Sequence, residues 1–414
     1  MFPWQDIIKL IVTGALSIYG EPMFWLILAL VGYQYWQMQR NQVRIFGVAG
    51  QSLVRQVAMA AVYGTVGGLV GSFLLTFVGV TLNHLGLNYI WPLALLLMMI
   101  HMRFLCFAYA GGLVALSSSL FGWPDVNVPQ VMALVAVLHM TESLLIAVSG
   151  RYSAMPLLLR REDGTTVGAF SLQNFWPLPL MLLAVIPVPG TEAVRGMISM
   201  PDWWPLLPLP AAPPAGQQWL YAMVPVVAAL GYSDMAVASF PVVRRRQSAL
   251  HLAAYSVLLL VLALLSVHYS WLQVMAALLS PLGHEFLIQW DNKRELEGIP
   301  RYVPPPRGVM VLDTVIDTPA RQLGLLPGDI LLSLDGRPVN SGSELAGAIY
   351  IAGAEFTLEI ERSQKRLQYH TRFQNGERRL GIILAPEGHE PYYVSISRDR
   401  FWLWTWLKRK LFGR

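Results

Sequence analysis

The amino-acid sequence predicts an α-helical polytopic membrane domain followed by a small α+β domain. Three observations carry that prediction. Of 414 residues, 55% are hydrophobic and only 13% charged, a balance far from that of soluble globular chains. Most of the charge falls after Asp291, so the preceding residues are more apolar still. Residues 308–386 differ again, with turn residues set between short apolar runs as strands and hairpins require.

Composition also excludes some classes. The net charge of +5 suits arginines and lysines in loops beside a membrane better than nucleic-acid binding, so no nucleic-acid partner is expected. Cys106 is the single cysteine; no disulfide within the chain can form, and no cysteine-based zinc site is expected. The start, Met1-Phe2-Pro3-Trp4, lacks the cationic head of a cleavable signal peptide, so the first apolar segment is expected to be retained.

Residues 1–290 read as about eight spans against the ~20 residues needed to cross a bilayer. Residues 5–20 and 22–36, broken at Gly20-Glu21-Pro22, form either a hairpin or one span behind an interfacial helix. A long span from Val57 to Leu82 carries Gly64, Gly67, Gly68 and Gly71 at spacings that allow close helix contact. Residues 90–121 read as two short spans with Arg103 at the turn, since one long helix would place that charge in lipid. Further spans are expected at Val128–Val148, Phe175–Pro189, Trp219–Phe240, Ala249–Val267 and Trp271–Ile288.

Basic residues cluster in alternate loops: Arg40, Arg44 and Arg55; Arg151, Arg160 and Arg161; Arg244, Arg245 and Arg246; then Lys293 and Arg294. The opposite side has Arg195 alone, which places the C-terminal domain in the cytoplasm by the positive-inside rule. Residues 291–307, with Pro304, Pro305 and Pro306, read as a semi-rigid spacer. The tail, 387–414, sets Trp402, Trp404 and Trp406 beside Lys408, Arg409 and Lys410, as an interfacial helix on anionic lipid would.

Within residues 308–386, Val309, Val311 and Val315 suit a strand. Thr318-Pro319 starts a short helix that Gly324 closes. Ile330 to Leu334 reads as a buried strand, and Asp335-Gly336 as a hairpin turn. Ser341 and Glu344 have capping-box spacing ahead of a helix through Leu345, Ile349 and Ile351. Phe356–Arg362 and Arg366–Phe373 form a second hairpin, and Leu380–Leu384 a last strand.

This pattern, with its Thr318-Pro319-Ala320, Leu326-Pro327-Gly328-Asp329 and Asp335-Gly336-Arg337-Pro338-Val339 turns, resembles a bacterial PDZ domain. The resemblance implies a groove in which an extended peptide adds to a sheet edge. The residues it points to are Leu380, Gly381, Ile382 and Ile383 in the carboxylate loop and strand, with Leu345 and Ile349 on the facing helix.

Chemistry is harder to find. Gly283-His284-Glu285 is similar to half of a metalloprotease motif, and site-2 proteases join such a motif to a PDZ domain. Ile288 stands where the second histidine belongs, so the ligand set fails and no catalytic residue, metal or cofactor is expected. No Gly-Xaa-Ser-Xaa-Gly elbow is visible either. His139, Glu142 and Asp234 lie in apolar surroundings; they either mark an ion pathway or pair with Arg103 and between helices, and the second reading is preferred.

Many spans followed by one PDZ-like domain resemble the MinJ group of Gram-positive proteins. The stretches 103–112, 172–179 and 280–285 also look similar to that group. The resemblance implies a non-enzymatic scaffold in cell-division site selection, with DivIVA- and MinD-like proteins and membrane lipid as partners. A membrane metalloprotease, or a degenerate relative of one, and a transporter with a regulatory PDZ domain are the alternatives.

Overall fold

In chain order the elements of the computed structural model are α1 (Trp4–Ile18), α2 (Pro22–Phe46), α3 (Leu53–Val78), α4 (Leu87–Met98), a 3-10 turn (Met102–Leu105), α5 (Phe107–Phe121) and α6 (Val128–Val148). Strands β1 (Ala154–Arg160), β2 (Thr166–Pro189) and β3 (Gln217–Ala236) follow, then α7 (Pro241–Leu265) and α8 (Trp271–Glu297). The C-terminal part contains β4 (Val309–Thr314), α9 (Pro319–Gln322), β5 (Ile330–Leu334), β6 (Arg337–Pro338), α10 (Gly342–Ile351), β7 (Glu355–Arg362), β8 (Lys365–Arg372), β9 (Ile382–Leu384) and β10 (Val394–Ser395). The structure describes residues 2–48, 50–83, 85–149, 154–189, 198–209, 212–373, 378–388, 390 and 392–395. Arg151, Arg195 and the tail residues Trp402, Trp404, Trp406, Lys408, Arg409 and Lys410 lie outside them.

Among the described residues, α3, α6, α7 and α8 are long and apolar enough to cross a membrane. The pair α1 and α2, bent by 74°, makes a fifth if it counts as one broken span. Helices α4 and α5 are apolar but short, and between them the 3-10 turn carries Arg103.

Two expected spans are not helices. Residues 175–189 and 219–236 fall within β2 and β3, which pair antiparallel from Phe170↔Ala236 to Pro189↔Gln217. Proline is the physical reason. Pro177, Pro179, Pro187 and Pro189 stand in the segment read as a span, and each would remove a bond from a helix interior at about 3 kcal/mol.

In a strand the same prolines are harmless, because their two-residue spacing turns every missing N–H to one edge. That edge faces α3 rather than β3. Three of its other amides find side-chain acceptors: Phe175 N–H donates to Tyr35 Oη at 3.3 Å, Met181 N–H to Ser72 Oγ at 2.8 Å and Val185 N–H to Asn83 Oδ1 at 2.7 Å. A strand edge among apolar helices thus leaves few backbone donors without partners, as a low-dielectric setting demands.

The glycine face of α3 serves two neighbours. A Cβ at Gly64 would lie 2.1 Å from the Pro177 carbonyl oxygen, and one at Gly68 2.4 Å from that of Pro179. Gly67 meets Leu145 of α6 instead, and Gly71 lies between Thr141 of α6 and Leu180 of β2. Close helix contact is therefore half of the role; the other half admits a strand.

The C-terminal sheet runs β8-β7-β5-β4-β9, with β6 beside β5. Asp335 and Gly336 make the β5–β6 turn at φ 50° and 72°. Ser341 Oγ accepts from Glu344 N–H at 3.1 Å, while the Glu344 carboxylate accepts from Asn340 N–H at 2.8 Å. Arg362 clamps the Leu326–Asp329 turn through Asp329 Oδ1 and Oδ2 at 2.7 and 2.6 Å.

The expected spacer is not free. Helix α8 extends through residues 291–297, Arg301 N–H donates to Val237 O at 3.0 Å, and Tyr302, fully buried, exchanges with β2 through Gly168 N–H at 2.8 Å. Tyr302, Leu312, Ile383 and Ala385 join the same core as the membrane helices. Polar residues before the prolines are spent on that docking.

Candidate functional site

Strand β9 ends the sheet, and α10 lies beside it. Leu345, Ile349, Leu380, Gly381, Ile382 and Ile383 all line one cavity of about 660 Å³. They contribute unequally. Leu345 and Leu380 also belong to the small domain's own core, on which Ile349 and Ile382 pack. Ile383, on the other face of β9, packs with Leu312 and Tyr302 toward the membrane helices.

Gly381 has φ +78°, and a Cβ there would sit 2.2 Å from Thr318 Oγ1. Only glycine fits this left-handed corner. The loop is fastened by Val315 N–H to Gly381 O at 2.8 Å and Ala320 N–H to Leu380 O at 3.0 Å.

Five further contributors to this cavity, Arg378 and four residues of the preceding region, carry no signal in the sequence. Arg378 and Arg379 flank the loop, and they put positive charge at the cavity wall. Ile45, Phe46 and Val48, at the end of α2, line the cavity from the membrane side together with Leu158 of β1. Well over two hundred residues separate each of them from β9, so no local pattern could have joined them.

A second group lies within the helices. Cys106, which caps α5, meets His139 of α6 and His284 of α8, their donor atoms all within 4.8 Å of one another. Cys106 Sγ is 3.2 Å from His139 Nε2 and 4.0 Å from His284 Nε2. These are the described residues that could hold a metal ion. The metalloprotease motif points to His284 with a partner one turn along the same helix, whereas its neighbours Cys106 and His139 come from other helices.

Glu285 and Asp234 are already engaged. Glu285 takes Arg103 at 3.2 Å and accepts from Tyr109 Oη at 2.7 Å, so Arg103 does not serve Asp234. Asp234 instead pairs with Arg244 at 2.7 Å, and Arg244 reaches Asp291 at 3.4 Å, all three buried. Ser248 Oγ and Tyr232 Oη also donate to Asp234. Arg244 and Arg245, each 2% exposed on α7, are therefore not loop cations. Glu295 closes this seam by accepting from the Val237, Ala238 and Ser239 amides at 2.8 to 3.1 Å.

Fold and groove together define a class: a chain of several helices apolar enough to cross a membrane, ending in a PDZ domain. The PDZ domain family matches residues 286–372. Over a longer stretch the chain is similar to the cell division topological determinant MinJ of Bacillus subtilis, at 25% identity over 269 residues. That alignment covers 64% of this chain and 64% of MinJ, just under two thirds of each. The protein is MinJ-like in sequence and carries a PDZ domain.

Shorter matches join it to the serine protease HTRA1 of Xenopus tropicalis, 36% identical over 79 residues, 19% of this chain and 17% of that one. The magnetosome formation protease MamE of Magnetospirillum gryphiswaldense is 45% identical over 49 residues, 12% of this chain and 6% of that one. Among solved structures, the PDZ domain of an SdrC-like protein from Listeria monocytogenes covers 19% of this chain and 90% of its own, at 23% identity and a TM-score of 0.17.

Proposed function

We propose that this chain is a non-enzymatic membrane scaffold whose PDZ domain, on the cytoplasmic face, recruits protein partners for division-site placement or polarity. The observation that carries the reading is the cavity between β9 and α10, lined by Leu345, Ile349 and the Gly381 loop. An extended C-terminal peptide adds to the β9 edge, one side chain enters the Leu345–Ile349 pocket, and Arg378 or Arg379 favours its carboxylate. The similarity to MinJ over 269 residues supports the division role. The two proteases share with this chain only stretches of 49 and 79 residues, which supports a binding role over a catalytic one. DivIVA- and MinD-like proteins are the partners the family resemblance points to.

The membrane side of the cavity adds a constraint. Since Ile45, Phe46 and Val48 line it, a bound peptide touches the end of α2 as well as the PDZ domain. Recruitment and the placement of the membrane helices are then linked through one ligand.

The test is a crosslinking pull-down from native membranes, comparing wild type with Ala346→Trp. Ala346 is exposed and lines the cavity, so an indole fills the groove without entering the core. Capture of division proteins should fall at least about tenfold, the equivalent of ~1.4 kcal/mol. Unchanged capture would remove the groove from the proposal.

A further inference from the structure

We propose that Cys106 Sγ, His139 Nε2 and His284 Nε2 are three ligands of one zinc ion held between α5, α6 and α8, with a water or an exogenous donor in the fourth place. This inference does not depend on the groove. It rests on a side-chain constellation that the scaffold reading leaves unused.

The distances fit. Zinc bonds thiolate at about 2.3 Å and imidazole nitrogen at about 2.0 Å, so a tetrahedral site sets sulfur and nitrogen roughly 3.6 Å apart. The two observed separations, 3.2 and 4.0 Å, straddle that value. An ion entering the triangle needs only small side-chain shifts. On ligation the thiol proton leaves to solvent, and one sulfur–zinc bond takes its place.

The tautomers fit as well. A ligating histidine ordinarily donates its second ring N–H to a fixed acceptor, which aims the other nitrogen at the metal. His139 Nδ1 lies 2.8 Å from Val135 O, a carbonyl that can only accept. His284 Nδ1 lies 3.3 Å from Tyr109 Oη, whose own proton goes to Glu285 at 2.7 Å, leaving the phenol oxygen to accept. Both Nε2 atoms therefore turn a lone pair toward Cys106. Two unrelated acceptors, on different helices, produce the same outcome.

The frame around the triangle is tight. Ser280 Oγ donates to Ala108 O at 2.8 Å, and Tyr255 Oη to Ser280 O at 2.8 Å. A Cβ at Gly112 would lie 2.5 Å from Pro281, so α5 and α8 approach closely beside the site. The Tyr255 ring stands edge-on to both imidazoles, at 5.7 and 6.0 Å. His139 is 3% exposed. Cys106 and His284 are half-buried, and a braced set of one sulfur and two nitrogens suits a borderline-soft cation and offers little to magnesium or calcium.

Zinc here would pin α8, the helix that continues to the docked Tyr302 segment, against α5 and α6. The expectation of no cysteine-based site follows from counting cysteines alone. A mixed set needs only one.

The experiment uses the full chain in detergent, purified through a tag without histidine or cysteine, stripped with chelator and titrated with Co²⁺ and then Zn²⁺. One Co²⁺ per chain is expected, with a thiolate-to-cobalt charge-transfer band that stoichiometric Zn²⁺ removes. Cys106→Ser should abolish the band. His139→Gln and His284→Gln should each weaken binding at least about 100-fold, and Tyr109→Phe about 10-fold through the orienting bond. A wild-type protein that binds no cobalt, or binds it without the charge-transfer band, overturns the proposal and needs no variant to do so. Affinity unchanged in both histidine variants overturns it equally.

Discussion

The PDZ groove and the Cys106 triangle are built in opposite ways. The PDZ walls of the groove come from one stretch of some forty residues, residues 342–384, whose turns and caps are set locally, while its far wall, Ile45, Phe46, Val48 and Leu158, comes from elsewhere. The triangle draws Cys106, His139 and His284 from three helices, and what aligns them is packing at Gly112, Ser280 and Tyr255. Local construction is readable from spacing. Construction by packing is readable only once the helices are placed.

The same contrast governs stability, and Arg244→Met tests it hardest. That guanidinium holds both Asp234 and Asp291 inside the membrane domain. Removing it leaves the Asp234 carboxylate with hydroxyl donors but no cation, and Asp291 with His251 alone at 2.9 Å, at a cost of about 3 kcal/mol. Amide hydrogen exchange in the intact protein should show protection lost along β3, α7 and the end of α8. Protection in β4, β5 and β7 should hold, because the Asp329–Arg362 clamp is their own. Equal loss in both regions would show that the PDZ domain has no independent stability. Adding Asp234→Asn to the variant should restore part of the protection.

Much of the PDZ domain was legible because each turn carries its own signal. Asp335-Gly336, Thr318-Pro319 and the Ser341 cap need no knowledge of distant residues. The strands β2 and β3 have the length and hydropathy of membrane spans, and only the proline spacing in β2 distinguishes them. Pro177 with Pro179, and Pro187 with Pro189, carry the period of a strand with one unpaired edge. Arg244, Arg245 and Arg246 misled in the same way, since a run of arginines reads as a loop until Asp234 and Asp291 are seen to claim one of them. Nothing in the sequence brings Ile45, Phe46 and Val48 to the PDZ cavity.

Gly68→Ala probes the contact between α3 and β2 directly. The new methyl would meet the Pro179 carbonyl at 2.4 Å and Pro179 Cδ at 2.9 Å. Backbone cannot move aside as a flexible side chain can, so the overpacking should cost about 1–3 kcal/mol. Thermal unfolding of the full chain measures it. Gly347→Ala, with nothing within 4 Å of its added Cβ, should be neutral or slightly stabilising in α10. If both changes are neutral, β2 stands away from α3, and the prolines no longer explain why this strand is tolerated there.

The smallest effect comes from Asp313, where the two regions meet. Its neighbour Leu312 is buried in the shared core. Burial pushes the Asp313 carboxyl above the ordinary carboxylate range, and the Thr314 amide at 2.8 Å and the Arg321 charge offset this only in part. A carboxyl raised in the folded state keeps its proton there longer than in the unfolded chain. Its stabilising contribution is complete below the unfolded pKa and is lost as pH rises through the folded one. Asp313→Asn should therefore stabilise the chain at neutral pH, and the gain should fade as pH drops below the usual carboxylate range. Melting wild type and variant across that range reads the sign. A difference that stays flat with pH would mean that Asp313 is solvated, that the PDZ domain stands off from β2, and that groove and membrane helices act separately.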